Sequence, residues 1–217
     1  AIGAVAAIGL LSSGGNGTSG SYLTEEAADL ASGAEELRGR ERYVDPVRAL
    51  TLGFLSLGAN AAPLDVLSAA AEAGFGAVGL RVSGRNPGDP WPQPNAEGDG
   101  LERIRARAEA LSIRISSISG YYMSEKTSLS HLLANVEAAR RVGAPLISQG
   151  CFEPDPSRVA ELLRDYARAA DDAGVRIALE FMPMSSLKTI ADAQRVIADS
   201  GARNVGLLID SLHLARS

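Results

Sequence analysis

The chain has 217 residues, 46% of them hydrophobic and 22% charged, with a formal net charge of −5; these are the proportions of a soluble globular protein large enough for one domain with a substantial core. Its longest apolar run, Ala1 to Leu11, contains two glycines, is too short to cross a bilayer and lacks the basic leader of a secretory signal, so no membrane partner is expected. Residues 1–45 set seven acids against Arg38, Arg40 and Arg42, leaving −1 for residues 46–217, and with no basic cluster of the kind phosphate backbones demand, nucleic acid is excluded as a general partner.

Taken in order, residues 1–45 differ in character from the rest of the chain. Ser12 to Gly20 has the composition of a flexible linker, and Thr24 to Leu37 suits a short acidic helix capped by Thr24. The glycines are followed by no Gly-Lys-Ser/Thr and lack dinucleotide spacing, so a linker is favoured over a nucleotide site. No function is assigned to this segment. Residues 46–217 form the second unit, where a regular alternation begins. Leu50–Ser56 reads as a strand, and Pro63–Ala73 as a helix opened by proline and closed by Gly74. Strand Ala77–Val82 comes after it. A polar, proline-rich loop, Ser83 to Gly98, then precedes helix Leu101–Leu111. Strand Ile113–Ile118, helix Leu129–Val142, strand Pro145–Gln149 and helix Ser157–Ala173 come next, and strand Val175–Glu180, helix Lys188–Ser200 and strand Asn204–Asp210 complete the pattern.

Strand ends recurring at roughly thirty-residue intervals, with a helix between each pair, predict a parallel α/β architecture. Even spacing does not separate an open doubly wound sheet from a barrel. Polar groups at successive strand ends, Arg81, Ser119, Gln149, Glu180 and Asp210, favour the barrel, because an open sheet gathers its site at a single switch point. The fold class expected is therefore a (β/α) TIM-type barrel of about six strand–helix units. Two of its apolar strands, Val175–Glu180 and Asn204–Asp210, run straight into carboxylates, and His213 follows the second at Asp-x-x-His spacing. Two acids and a histidine converge on one rim.

Gly53-Phe-Leu with Ala73-Gly-Phe, Ala77-Val-Gly-Leu-Arg-Val82, Leu179-Glu-Phe-Met-Pro183 and Asn204-Val-Gly-Leu-Leu-Ile-Asp-Ser-Leu-His213 together resemble the sugar phosphate isomerase/epimerase group with the xylose-isomerase-like barrel, over residues from about 50 to 217. The last two stretches are specific as a pair, while the others mostly report the barrel. The resemblance implies that Glu180 and Asp210 are ligands of a divalent metal and that His213 contacts substrate or joins the ligands. It implies isomerisation or epimerisation of a small polyhydroxylated carbonyl compound in carbohydrate metabolism, with related members acting as dehydratases or abasic-site nucleases. It also implies two further strands carrying another ligand and a second glutamate. Counted from Leu50, the chain reads as a barrel lacking its last quarter, whether as a fragment or as a module completed by another chain. Its open edges would favour pairing into a homo-oligomer, and a non-catalytic fragment is the reading from a different class.

Two carboxylates and an imidazole suit Mn²⁺ or Mg²⁺ more than Zn²⁺, since the ligation is rich in oxygen. Glu180 is the candidate catalytic residue, a metal ligand that also moves the proton; the alternative is a salt-bridged strand-end acid. Asp210 is alternatively a helix cap. The candidate substrate contacts are His213, Arg81, Gln149, Tyr121, Trp91 and Lys188. Arg81, on an apolar strand, either holds a carboxylate or phosphate of the substrate or pairs with a neighbouring acid. Gln149 would bind hydroxyls, as would Tyr121 with Tyr122, unless the tyrosines simply pack. Trp91 is a lid or an edge-packing aromatic. Lys188, a cation at a helix start where the dipole disfavours it, is aimed at the rim or merely solvated. Cys151 has no histidine near it in sequence and reads weakly as a nucleophile; as a lone cysteine it rules out an intrachain disulfide framework and favours a reducing compartment, the cytoplasm.

Overall fold

The computed structural model describes residues 50–57, 61–89 and 98–217. The linker and acidic helix expected within residues 1–45, and Trp91, lie outside the described residues. Six strands, β1 (Thr51–Leu52), β2 (Ala77–Arg81), β3 (Arg114–Ser119), β4 (Leu146–Gln149), β5 (Arg176–Glu180) and β6 (Val205–Leu208), alternate with five helices. These are α1 (Pro63–Glu72), α2 (Gly100–Ala110), α3 (Leu129–Val142), α4 (Pro156–Asp172) and α5 (Ile190–Ser200); a single turn, α6 (Ser211–Leu214), succeeds β6.

All neighbouring strands are parallel, and the sheet order is the chain order, β1-β2-β3-β4-β5-β6. A doubly wound sheet reverses its order at a switch point. An unbroken order with right-handed crossovers instead keeps every helix on the same face and curls the sheet towards a barrel. Among the described residues β1 and β6 do not pair, so the barrel is partial.

Register assigns every strand residue to a face. Leu80, Ile118, Ile147 and Ile177 are successive partners across β2 to β5, and all are buried in the core that the strands share with the helices. The alternate residues turn to the concave face. There Arg81, Ser119, Ser148, Ala178 and Gly206 form one continuous row. The helix-facing side is thus branched and apolar while the concave side is small and polar, which leaves room along the inside of the sheet.

Helix ends reflect local chemistry. Gly143 and Gly201 close α3 and α5 in the left-handed conformation, with φ of 76° and 69°, and Asp155 caps α4 by accepting from the Ser157 amide at 2.9 Å. Three expectations are corrected. The first strand is shorter than Leu50–Ser56, because the chain turns at Gly53, whose carbonyl accepts from the Ser56 amide at 3.0 Å. Lys188 does not begin a helix. Thr189 is the cap, in a reciprocal box with Asp192 at 3.0 and 3.2 Å, so α5 starts at Ile190 and Lys188 is an exposed residue ahead of it. The last strand ends at Leu208 rather than Asp210, because Asp210 caps α6.

Candidate metal centre

The cluster grows out of two adjacent strand ends. Glu180 closes β5 and pairs in register with Leu208 at the end of β6. Two residues on, Asp210 leaves the sheet, and its Oδ1 accepts from the Leu212 amide at 2.7 Å and the His213 amide at 3.4 Å. The carboxylate is therefore held as the cap of α6, and His213 occupies the third helical position. Asp-x-x-His spacing in a single helical turn is what brings the two side chains together. His213 Nε2 lies 3.9 Å from Glu180 Oε1, with both side chains mostly buried, and His213 Nδ1 is buried with no hydrogen-bond partner. One ligand atom from each of Glu180, Asp210 and His213 falls within 4.8 Å of the other two. Donors about 2.1 Å from a common ion stand ~3 to 4 Å apart, so a small inward adjustment completes the site.

The electrostatics favour a cation. Burial, together with the nearby Asp210 charge, pushes the Glu180 carboxyl up to about 7 from its ordinary 4.5. Two acids, one of them desolvated, share a space with the His213 imidazole, whose Nε2 faces Glu180, and a divalent ion would draw on all three. The donor set therefore fits the expected metal. In metal-free protein the folded chain holds the Glu180 proton more tightly than the unfolded chain does. Stability is accordingly expected to fall, by ~3 kcal/mol, as pH rises from about 4.5 through 7, and to level off above that. Urea midpoints in EDTA at pH 5 and pH 8 for wild type and Glu180→Gln check this: the decline attributable to Glu180 should be missing from the variant.

The remaining sequence-predicted residues divide. Arg81 is buried on the concave face, with its Nε donating to the Ser83 carbonyl at 3.2 Å; burial lowers its hold on the proton, although a guanidinium stays charged. Gln149 is not brought to the cluster. It is the register partner of Leu179, on the helix side, and its Nε2 donates to the Tyr121 and Gly150 carbonyls at 3.2 and 2.8 Å. Nor does Tyr121 join the cluster. Its ring stands edge-on to His131 of α3 at 5.2 Å, and its backbone is bridged by Asn135. Tyr122 instead lies over the β4 end, where a Cβ on Gly150 would come within 2.8 Å of its ring, and it stacks on Phe152 with centroids 5.8 Å apart. Lys188 is exposed and lies outside the cluster. Burial pushes the Cys151 thiol up to about 11, which removes it as a nucleophile at neutral pH.

Sequence reasoning missed Glu153. This buried acid comes shortly after β4 and pairs with Arg158, whose guanidinium also donates to the Ser124 and Thr127 carbonyls at 3.3 and 3.0 Å. Ser124 in turn donates to Asn86 Oδ1 at 2.9 Å, so the loops after β2, β3 and β4 are tied together. The position of Glu153 soon after a strand end was the available signal.

Residues 67–217 match the model of the family described as xylose isomerase-like TIM barrel. None of the curated proteins matches the chain. Among solved structures, L-ribulose 3-epimerase is 19% identical with a TM-score of 0.61, over 77% of this chain and 62% of its own. The IOLI protein with a binding zinc atom is 17% identical with a TM-score of 0.60, over 75% and 63%. A xylose isomerase-like TIM barrel protein from Mycobacterium smegmatis in complex with magnesium is 21% identical with a TM-score of 0.56, over 73% and 63%. At these identities the likeness shows the fold, and this chain spans less than two thirds of the length of each. Among the described residues no helix is long and apolar enough to cross a membrane.

Proposed function

The chain belongs to the xylose isomerase-like TIM barrel family, and from that premise we propose that it serves divalent-metal-dependent isomerisation of a small polyhydroxy carbonyl compound by proton transfer. The observation that carries the reading is the convergence of Glu180, Asp210 and His213 donor atoms at the carboxyl ends of β5 and β6, where barrels of this winding place their chemistry. Glu180, Asp210 and His213 would hold the ion. Two oxygens and one nitrogen favour Mn²⁺ or Mg²⁺ over Zn²⁺; the similar structures include both a magnesium and a zinc complex, so all three belong in the test.

A bound divalent ion would polarise the substrate carbonyl and acidify the neighbouring proton. The chain's own groups do the rest. Glu180 combines a desolvated setting with a carboxyl tuned close to neutrality, which suits a group that both takes and returns a proton. Asp210, locked by two amides, orients His213 and keeps the negative charge in place. The Tyr122 ring, stacked on Phe152, lies over the backbone at Gly150 just beyond β4.

Isomerisation is the reading that Glu180 can serve by itself, because moving a proton between adjacent carbons takes one proton-transfer group, whereas inverting a centre takes groups on both faces of the substrate. The test is proton NMR of a panel of small aldoses, ketoses and sugar acids in D₂O with the Mn²⁺-, Mg²⁺- or Zn²⁺-loaded chain. Metal-dependent movement of a carbonyl with deuterium uptake is expected, abolished by EDTA and by Glu180→Gln. Exchange without carbonyl movement would make the reaction an epimerisation, loss of water would make it a dehydration, and no turnover in wild type would overturn the proposal.

A further inference from the structure

The end of the sheet away from the metal cluster is marked by cations. All six strands are parallel, so they start at one end of the sheet and finish at the other. Glu180 and Asp210 stand at the finishing end. At the starting end Arg114 is the first residue of β3, Arg176 is the first of β5, and Arg203 lies two residues ahead of β6. No acid occupies the first position of any of the six strands or the two positions before it. The three arginines are exposed, and among the described residues their side chains make no ion pair or hydrogen bond. The acids nearest them in the chain leave them unpaired: Glu109 is bound to Arg105 at 3.0 Å, and Asp172 and Asp199 form no ion pair among the described residues. Three strand spacings, ~14 Å, take in all three arginines.

Residues 1–49 are tethered at this same end, because Thr51 opens β1 in register with Ala77 at the start of β2. Within them Thr24–Leu37 holds Glu25, Glu26, Asp29, Glu35 and Glu36 and no basic residue. Leu23, Ala27, Leu30, Ala34 and Leu37 recur at intervals of four and three, the spacing of one apolar stripe along a helix. A helix of this length is marginal in water by itself, and Gly33 in its interior weakens it further, so it needs a supporting surface. The starting end of the sheet offers one. Beside the three cations, Leu50 is 48% exposed ahead of β1 and Leu146 is half-buried at the start of β4. Residues 24–37 would extend ~21 Å as a helix, enough to cross all three arginines, and the tether from Arg38 to Ala49 spans ~20 Å as a flexible chain.

We propose that the starting end of the sheet is a docking surface for the acidic stretch Thr24–Leu37 of the same chain, which lies as a helix across the starts of β3, β5 and β6 with its acids facing Arg114, Arg176 and Arg203. The tether makes the docking intramolecular. A contact too weak to hold a separate peptide is then sustained by an effective concentration on the order of millimolar. Because the groups are exposed, salt screens the attraction. The surface lies at the opposite end of the strands from Glu180, and the assignment stands apart from the isomerase reading.

Hydrogen exchange of the full chain, read by mass spectrometry over residues 24–37, tests this without metal or turnover. At ~20 mM salt the amides of wild type are expected to exchange at least tenfold more slowly than those of an unstructured peptide, and most of that protection should be gone at ~0.5 M salt. Arg114→Glu, Arg176→Glu and Arg203→Glu combined should remove it. Adding Glu25→Lys, Glu26→Lys and Asp29→Lys to that triple variant should bring it back. Protection of α3 should be the same in every variant, which separates loss of docking from loss of fold. Wild-type exchange as fast as that of an unstructured peptide would overturn the proposal. Protection that survives the triple variant would overturn it too, since the stretch would then be held without the arginines. Protection that rises with protein concentration would overturn docking within one chain and give the surface to a second copy.

Discussion

Replacing Glu180 and Asp210 by alanine together is expected to lower Mn²⁺ affinity at least a hundredfold, measured by calorimetry at pH 8. Each carboxylate offers an ion-bearing oxygen within 4.8 Å of the others, and the double change leaves a single imidazole, which by itself holds Mn²⁺ poorly. Glu180→Ala should lose more than Asp210→Asn. Glu180 contributes a desolvated charge, whereas asparagine can still accept the amide bonds that set α6 and preserve the position of His213. The binding should carry a pH signature. An ion requires the ionised carboxylate, so with a carboxyl at about 7 the wild-type affinity should rise roughly tenfold between pH 6 and pH 8 and flatten above that. An affinity that is indifferent both to pH and to the double variant would locate the ion elsewhere.

Arg158→Ala is expected to destabilise the fold by ~3 kcal/mol or more. The change strands the Glu153 carboxylate, 3% exposed, without its guanidinium, and it releases the Ser124 and Thr127 carbonyls as well. Arg158 is itself more than a third exposed, which places the effect at the low end of the range for a broken buried pair. Adding Glu153→Gln should return part of the loss, because an amide is far less costly to bury alone than a charge. Urea unfolding of wild type, Arg158→Ala and the double variant reads this directly. The tied loops stand around the concave face, so the single variant should also show faster hydrogen exchange after β2, β3 and β4. A single variant as stable as wild type would mean that the pair contributes nothing to the rim.

Among the described residues, the sequence by itself determined the order and type of the elements, because helices, their stops and short caps depend on contacts within a few residues. Hydrophobic spacing and Gly143 sufficed for the bounds Leu129–Val142, and Asp-x-x-His sufficed for the Asp210–His213 pairing, since both sit in one turn. The parallel α/β alternation and the carboxylates at two strand ends were legible for the same reason, and motif resemblance reached the family. Helix α5 was legible except at its start, where Thr189 rather than Lys188 begins the turn.

What only the tertiary structure decided is which face each residue presents and what meets across distant segments. Strand side chains alternate with a period of two, so a choice of side depends on register with a neighbour remote in sequence. Register with Leu179 turned Gln149 to the helices, and register with Ser119 turned Arg81 to the concave face. Adjacent tyrosines went separate ways, Tyr121 to His131 of α3 and Tyr122 to Gly150. The unbroken strand order, which separates a barrel from a doubly wound sheet, likewise arises from pairings between strands some thirty residues apart. Glu180 met His213 by the same route, since the approach of two strand ends is set by the sheet and not by either strand alone.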